Sequence, residues 1–453
     1  MGEKKKTTVA LVTLGCKVNQ FESASFRSDF EARGLSVVEM GRETADLYVI
    51  NTCAVTGKAA AESRRLIRRA RRANPAARIV VTGCYAQVSS EEILEMDGQS
   101  GGRGDIGETF GGAIHLVGNG DKDQLVELAL DVRSGDGSGP ARPVDRAQKI
   151  GDLRVRGFGS RTRAFLRVQD GCDNFCSYCI VPHARGRSRS LPRAEVLEQS
   201  GRFVEGGIRE QVVTGIHVGH YGRDLNPAVS LLDLLRQLAA RHPDSRYRLS
   251  SLEPTEIGPE LLGCMAETEN LMPHLHIPLQ SGDDAILARM KRRYTGRDFA
   301  AIVERCRALL PTAAIGVDVL VGFPGEDEEA FGRTFELLER LPVTYLHVFP
   351  YSRRPGTPAA TMAGQVPARL KEERVARLRE LGHIKKREFH AAHLGETRRV
   401  LVEGGGAGGG EMSGFTDNYI QVFFPARPEF ANRVVEVTLE KLLDKGVAGR
   451  MKG

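Results

Sequence analysis

The sequence predicts an α/β protein in three parts: an N-terminal parallel α/β sheet domain, a central partial (β/α)6 barrel and a small C-terminal β-barrel. Three observations carry this. Short β-branched strands alternate with helical stretches through most of the chain, the pattern of parallel sheets. A Gly/Ser/Pro stretch, Ser134-Gly-Asp-Gly-Ser-Gly-Pro140, interrupts the alternation. After about residue 389 the pattern changes to short strands joined by glycine-rich turns. The expected divisions are 1–133, a linker 134–154, 155–388 and 389–453.

In the first part, Val9–Leu14, Leu47–Ile50 and Arg78–Thr82 read as strands. Cys16, Cys53 and Cys84 are 37 and 31 residues apart, yet each falls just after one of these strands. Parallel strands deliver their carboxyl ends to one sheet edge, so register predicts a single cluster of three thiols. The alternative is three unrelated, well-packed cysteines. Lys58–Arg72 reads as a basic helix with Arg64, Arg68 and Arg72 on one face and Leu66, Ile67 and Ala70 toward the core. That face is either solvated or set for RNA phosphates. Residues 98–112 are glycine-rich and read as an inserted loop.

The central part has six strand candidates: Ala164–Val168, Gln211–Thr214, Tyr247–Leu252, Leu275–Leu279, Ile315–Val321 and Tyr345–Phe349. Directly after the first comes Gly171-Cys-Asp-Asn-Phe-Cys-Ser-Tyr-Cys179, a C-x3-C-x2-C run. Cys172, Cys176 and Cys179 can hold three corners of a [4Fe–4S] cube from one loop, leaving one iron open to chelate a substrate, and the spacing points to S-adenosylmethionine (SAM). Packing or a disulfide are poorer readings. Zinc is the stronger rival, because His183 would complete a Cys3His set. At the strand ends Thr214, Glu253, Gln280, Ser281 and Asp318, with close-approach glycines Gly215, Gly219 and Gly322, are candidates to hold an amino acid moiety and a ribose. Gly322–Glu326 also reads as a tight turn, and Cys264 and Cys306 as core.

A charged helix over Pro367–His390 leads into strands Arg399–Val402, Tyr419–Phe423 and Val434–Thr438, which suggest a five-strand-type barrel of the kind that binds irregular RNA. The chain has 8 Cys, no Trp, 6% aromatics and a net charge of +6, so base stacking is limited and arginines must carry phosphate contact. No apolar run is long enough to span a membrane and the start is charged, which reads as a cytoplasmic chain with reduced thiols.

These residues resemble the radical SAM methylthiotransferases. The resemblance rests on Gly171–Pro182 with Ala184-Arg-Gly-Arg-Ser-Arg-Ser190, and on Thr13-Leu-Gly-Cys-Lys-Val-Asn-Gln-Phe-Glu22, Asn51–Val55 and Thr82–Gln87. Leu252–Pro254, His276–Gly282, Asp318–Glu326 and Phe349–Ser352 add to it, and Gly414–Tyr419 is similar to the family's RNA-binding TRAM barrel. Gly15–Gln20 and Arg185–Ser190 are similar to the branch acting on N6-threonylcarbamoyladenosine next to the tRNA anticodon. The isopentenyladenosine and ribosomal-protein aspartate branches usually carry different residues after the first cysteine. Two departures stand out: His183 where an aromatic is common, and the run 98–112.

The resemblance implies two [4Fe–4S] clusters. Cys172, Cys176 and Cys179 would hold the one that binds SAM and cleaves it to a 5′-deoxyadenosyl radical. Cys16, Cys53 and Cys84 would hold an auxiliary cluster carrying the sulfur that SAM methylates before transfer to C2 of the base. No residue is assigned as acid or base. Arg185, Arg187, Arg189 and the C-terminal barrel are expected to meet the tRNA; further partners are an electron donor such as a flavodoxin or ferredoxin, and a sulfur donor. Rival readings are a methylthiotransferase for isopentenyladenosine tRNA or a ribosomal-protein aspartate, and a non-catalytic zinc-containing RNA-binding protein.

Overall fold

The computed structural model describes residues 7–98, 114–131, 141–144, 149–158, 161–403 and 410–452. Most of the glycine-rich run (99–112) and the Ser134–Pro140 linker lie outside them.

The N-terminal sheet is fully parallel, in the order β2-β1-β3-β4-β5, from β1 (Thr8–Thr13), β2 (Ser36–Val38), β3 (Leu47–Thr52), β4 (Arg78–Gly83) and β5 (Ile114–Val117). The three predicted strands form its centre. The two edge strands, three and four residues long, were too short to leave a period in the sequence. Register pairs Thr13 with Asn51 and Thr52 with Gly83, so the segments carrying Cys16, Cys53 and Cys84 leave the sheet at one edge. The basic helix runs Gly57–Ala73, capped by the Thr56 hydroxyl accepting from Ala59 N–H (3.1 Å). It buries Leu66, Ile67 and Ala70, leaving Arg68 and Arg72 exposed. Arg64 instead ties down to Tyr85 Oη (3.1 Å) and Glu92 (2.9 Å).

All six central strands are present: β6 (Arg163–Arg167), then a two-residue antiparallel ribbon of β7 (Gln169–Asp170) and β8 (Arg189–Ser190), then β9 (Glu210–Thr214), β10 (Arg246–Leu249), β11 (His274–Gln280), β12 (Ala314–Val321) and β13 (Tyr345–Pro350). They make two parallel three-stranded sheets, β6-β9-β10 and β11-β12-β13. Backbone hydrogen bonds from Met272 N–H to Tyr247 O (2.8 Å) and Leu252 N–H to His276 O (3.0 Å) join the sheets. Among the described residues β6 does not pair with β13, so the barrel is partial, open along one seam. Cys264 and Cys306 are buried in helices, as expected.

The helix Ala368–Ala392 packs along β13 and leads into the closed C-terminal barrel. Its five strands are β14 (Thr397–Val402), β15 (Glu411–Thr416), β16 (Gln421–Pro425), β17 (Val434–Leu443) and β18 (Gly446–Met451). Val400, Val422, Val437 and Leu439 fill it. Tyr419, placed in a strand by its neighbours' hydropathy, instead sits in a left-handed turn before β16 (φ +71°). The motif Thr416–Tyr419 is a plug rather than a free face: Arg248 donates to Asp417 O (2.9 Å) and Thr416 O (3.3 Å), and Asn418 Nδ2 to Thr312 O (3.0 Å). Among the described residues no helix is long and apolar enough to cross a membrane.

Candidate functional site

Two cysteine tripods flank the junction of the first two domains. Cys16 opens the helix Lys17–Ala32 and is exposed, while Cys53 and Cys84 are buried behind it. Gly15 makes the close approach possible. Its φ is +99°, and a Cβ there would stand 3.0 Å from Cys53 Sγ. Asn19 fastens the two segments, donating to Leu14 O (2.6 Å) and Thr52 O (3.0 Å). Burial pushes the Cys53 thiol up to about 11, with repulsion from Cys84 and Cys16 adding to it. Burial likewise raises Cys84. Buried thiols of this kind favour the neutral form unless a cation joins them.

The second tripod follows the same logic on a loop. Gly171 (φ +76°) lets the chain turn where a Cβ would lie 1.9 Å from Arg187 O, and Cys172 N–H donates to Gly186 O (3.1 Å). Cys179 N–H donates to Cys176 O (3.0 Å), which folds the third thiol back on the second. Burial, then repulsion from Cys176, takes Cys179 up to about 12. Around the sulfurs stand donors suited to an anionic cluster: Arg292 Nη1 to Cys176 Sγ (3.3 Å), Asn174 N–H to Cys172 Sγ (3.5 Å) and His217 Nδ1 3.6 Å from Cys172 Sγ. Glu256 holds the other imidazole nitrogen of His217 at 2.6 Å. Burial alone would lower His217, but its bonds to Cys172 and Glu256 raise it to about 9.

Geometry separates a cube from a single zinc. A tetrahedral zinc with bonds of about 2.3 Å holds its sulfurs about 3.8 Å apart. Among the described residues the His, Cys, Asp or Glu groups with all ligand atoms within 4.8 Å are His217–His220–Glu256 and His276–Asp318–His347; neither tripod is that tight. His183, the expected fourth zinc ligand, is exposed and lies edge-on to Phe175, with ring centroids 5.9 Å apart. Neither cysteine set is therefore drawn in to mononuclear-zinc spacing, and each offers the three thiols that a cube with one open iron takes.

The expected SAM-contacting residues divide into groups. Glu253 faces the second tripod, accepting from Arg292 (2.6 Å) in a recess shared with Cys176 and His217. Thr214 and Gly215 close β9 beside Gln169, which a Cβ on Gly215 would strike at 2.7 Å. Gln280 ends β11 in a left-handed conformation (φ +65°). Ser281 faces away, buried against Thr334 (3.3 Å) and accepting from Asp283 N–H (3.2 Å). Asp318 lies in the barrel lumen with His276 (2.7 Å) and His347 (3.4 Å). Burial would raise its carboxyl, yet those two hydrogen bonds hold it well below the usual range. Sequence reasoning missed Arg292 and the His217–Glu256 pair, although His217 lies three residues beyond Thr214 at a strand end.

Arg185 and Arg189 correct an expectation. Both were read as tRNA contacts, but Arg185 is 0% exposed and Arg189 6%. Arg185 crosses the domain junction, donating to Glu22 (2.9 Å), Asp170 (3.0 Å) and Asn19, while Lys122 pairs Glu22 from the other side. Nearby, Asn119 Nδ2 donates to Ala184 O (2.6 Å). Only Arg187 of the three is exposed, over the Phe175 ring. Gly57 N–H donates to Ser352 Oγ (2.9 Å), which ties the segment after exposed Val55 to the chain leaving β13, where Phe349 is exposed.

Comparison with known proteins decides the family. Residues 8–101 match "Uncharacterized protein family UPF0004" and residues 166–338 the Radical SAM superfamily. The "Threonylcarbamoyladenosine tRNA methylthiotransferase MtaB" of Bacillus subtilis is 38% identical, over 96% of this chain and 94% of its own. That of Thermotoga maritima is 37% identical, over 97% and 96%. The chain belongs to the MtaB-like radical SAM methylthiotransferase family. The "tRNA-2-methylthio-N(6)-dimethylallyladenosine synthase" of Geobacter metallireducens is 33% identical, over 97% of both chains. Among solved structures, the radical SAM methyltransferase TsrM of Kitasatospora setae, with tryptophan and a SAM analogue, superposes with TM-score 0.57 at 18% identity over 83% of each chain. That likeness bears on the fold alone. The chain is thus an enzyme of the radical SAM class, using SAM and an iron–sulfur cluster.

Proposed function

We propose that this enzyme adds a methylthio group to C2 of N6-threonylcarbamoyladenosine next to the anticodon of tRNA. One observation carries the reading: two separate cysteine tripods flank a single domain junction in a methylthiotransferase chain. In this reading Cys172, Cys176 and Cys179 hold one [4Fe–4S] cluster, and Cys16, Cys53 and Cys84 hold a second. Together with SAM these groups supply the electron, the radical and the sulfur, which a C–H carbon without a leaving group requires.

The protein's part is to hold and shield. Arg292 and His217 direct their donors at Cys176 and Cys172 and offset the charge of the thiolates. Glu253, fixed by Arg292, presents its remaining oxygen to a cationic amine such as that of SAM. Thr214, Gly215, Gln280 and Asp318 are further candidate contacts. Exposed Val55 and Phe349 offer an apolar rim for a nucleobase, which helps exclude water from a radical step. Exposed Arg187, Arg68 and Arg72 are left for tRNA phosphates. A flavodoxin- or ferredoxin-class reductant, a sulfur donor and a cytoplasmic location complete the proposal.

Nucleoside mass spectrometry of bulk tRNA from a strain lacking the gene, with and without the gene restored, tests this. Loss and return of 2-methylthio-threonylcarbamoyladenosine supports it; unchanged levels, or loss of the methylthio group from dimethylallyladenosine instead, overturns it.

A further inference from the structure

A cavity of about 410 Å³ opens where the three domains meet. Lys17 enters it from the first domain, Arg163 and Arg248 from the barrel strands, and Tyr419 and Glu403 from the C-terminal barrel. Arg161 completes the lining cations, four against the one carboxylate of Glu403. Two of the four are already paired: Arg163 with Glu403 (2.7 Å), and Arg248 with Glu210 (2.9 and 3.1 Å). Among the described residues the Arg161 guanidinium donates to the neutral amide oxygen of Gln20 and has no ion pair. Lys17 lines the same cavity as these arginines, and its ammonium has no hydrogen bond or ion pair among the described residues.

Positive charge held in a concave, partly aromatic site is stabilised by an anionic ligand. Two substrate groups could supply that anion: a phosphate of the RNA backbone, or a carboxylate on the base. The walls favour the second, because the Tyr419 ring, flanked by His274 at a centroid distance of 4.5 Å, narrows the space to an organic side chain. Position matters as well. Lys17 directly follows Cys16, so the cavity begins beside the first tripod. A threonylcarbamoyl group ends in a carboxylate; an isopentenyl group is apolar throughout.

We propose that this three-domain cavity binds the carboxylate of the substrate base's N6 substituent, with Lys17 as its counter-ion and Arg161 as a second donor, so that it selects an anionic side chain over an apolar one. The proposal rests on the reading given under Proposed function.

The test is equilibrium binding, by fluorescence anisotropy, of anticodon stem-loops carrying either N6-threonylcarbamoyladenosine or its uncharged carboxamide, to the full chain without reductant. The wild-type protein is expected to bind the carboxylate about tenfold more tightly, as a charge-assisted hydrogen bond allows. Lys17→Met is expected to reduce that ratio to near one, and Lys17→Arg to retain most of it. An iron content in Lys17→Met equal to the parent's shows that the neighbouring tripod is intact. A ratio unchanged in Lys17→Met overturns the proposal. So does an equal weakening of both stem-loops with a shallower salt dependence, which assigns Lys17 to an RNA phosphate. Should the wild-type enzyme form methylthio product on the threonylcarbamoyl tRNA while either of those outcomes holds, the site fails and the function stands. Should it form none, the function itself fails.

Discussion

Replacing Arg185 by Ala is expected to unfold the domain junction rather than loosen tRNA. The Arg185 guanidinium is fully buried and binds two carboxylates at once, Glu22 at 2.9 Å and Asp170 at 3.0 Å. Removing it leaves Glu22 with Lys122 and Asn51, and Asp170 with the Gly171 N–H (2.8 Å). Deleting one partner of a buried pair costs about 3–5 kcal/mol, against less than about 1 kcal/mol for an exposed one. Arg187→Ala, which removes an exposed arginine two residues away, should therefore change stability by less than about 0.5 kcal/mol. The pH dependence follows from Glu22. Burial would raise its carboxyl, but Arg185 and Lys122 hold it well below the ordinary range. A depressed native value contributes stability that is present above the unfolded-state value and is lost only as pH falls through the native one. The Arg185→Ala deficit should then be constant from about pH 5 to 8. Guanidinium titration of the metal-free proteins under reducing conditions, followed by circular dichroism, measures it. Stability within 1 kcal/mol of the parent, with selectively weakened tRNA binding, would refute the buried-strut account and restore the phosphate-contact reading.

Two further outcomes test other parts of the structure. Glu210 is held at about 2: burial opposes this, but Arg248 and Arg246 prevail. It should supply about 3 kcal/mol that disappears as pH falls from about 5 to 2, and Glu210→Gln should lack that acid limb while being less stable at pH 7; an acid limb of unchanged depth in the variant contradicts the assignment. His217→Ala removes a donor from Cys172 and so should make the reduction potential of that cluster more negative in an EPR-monitored redox titration, whereas an unchanged or higher value argues that the 3.6 Å contact does not persist with the cluster bound.

Much of this molecule was readable from one sequence because its signals are local. Six strands of β-branched residues, and cysteines just beyond strand ends, needed no knowledge of distant partners. The N-terminal tripod was legible for the same reason: parallel register turns positions 37 and 31 residues apart into neighbours. Arg185 was not legible, because its acids lie 163 and 15 residues away and an Arg-Gly-Arg-Ser-Arg run looks like a solvated basic patch. Tyr419 was misread for a related reason. It follows polar turn residues, and it is half-buried beside the cations Arg163 and Arg248, whose guanidinium carbons lie 5.9 and 4.9 Å from its ring centroid. Ser281 was a plausible strand-end ligand whose hydroxyl the packing helix claimed first.

The central claim is a division of labour between two cysteine tripods, and cysteine variants purified anaerobically test it most directly. The parent should hold about eight irons per chain, two cubes' worth, and Cys53→Ala about four. Cys53→Ala should still cleave SAM to 5′-deoxyadenosine yet form no methylthio nucleoside, while Cys176→Ala should lose cleavage altogether. Methylthio product from Cys53→Ala, or undiminished SAM cleavage by Cys176→Ala, would contradict the account.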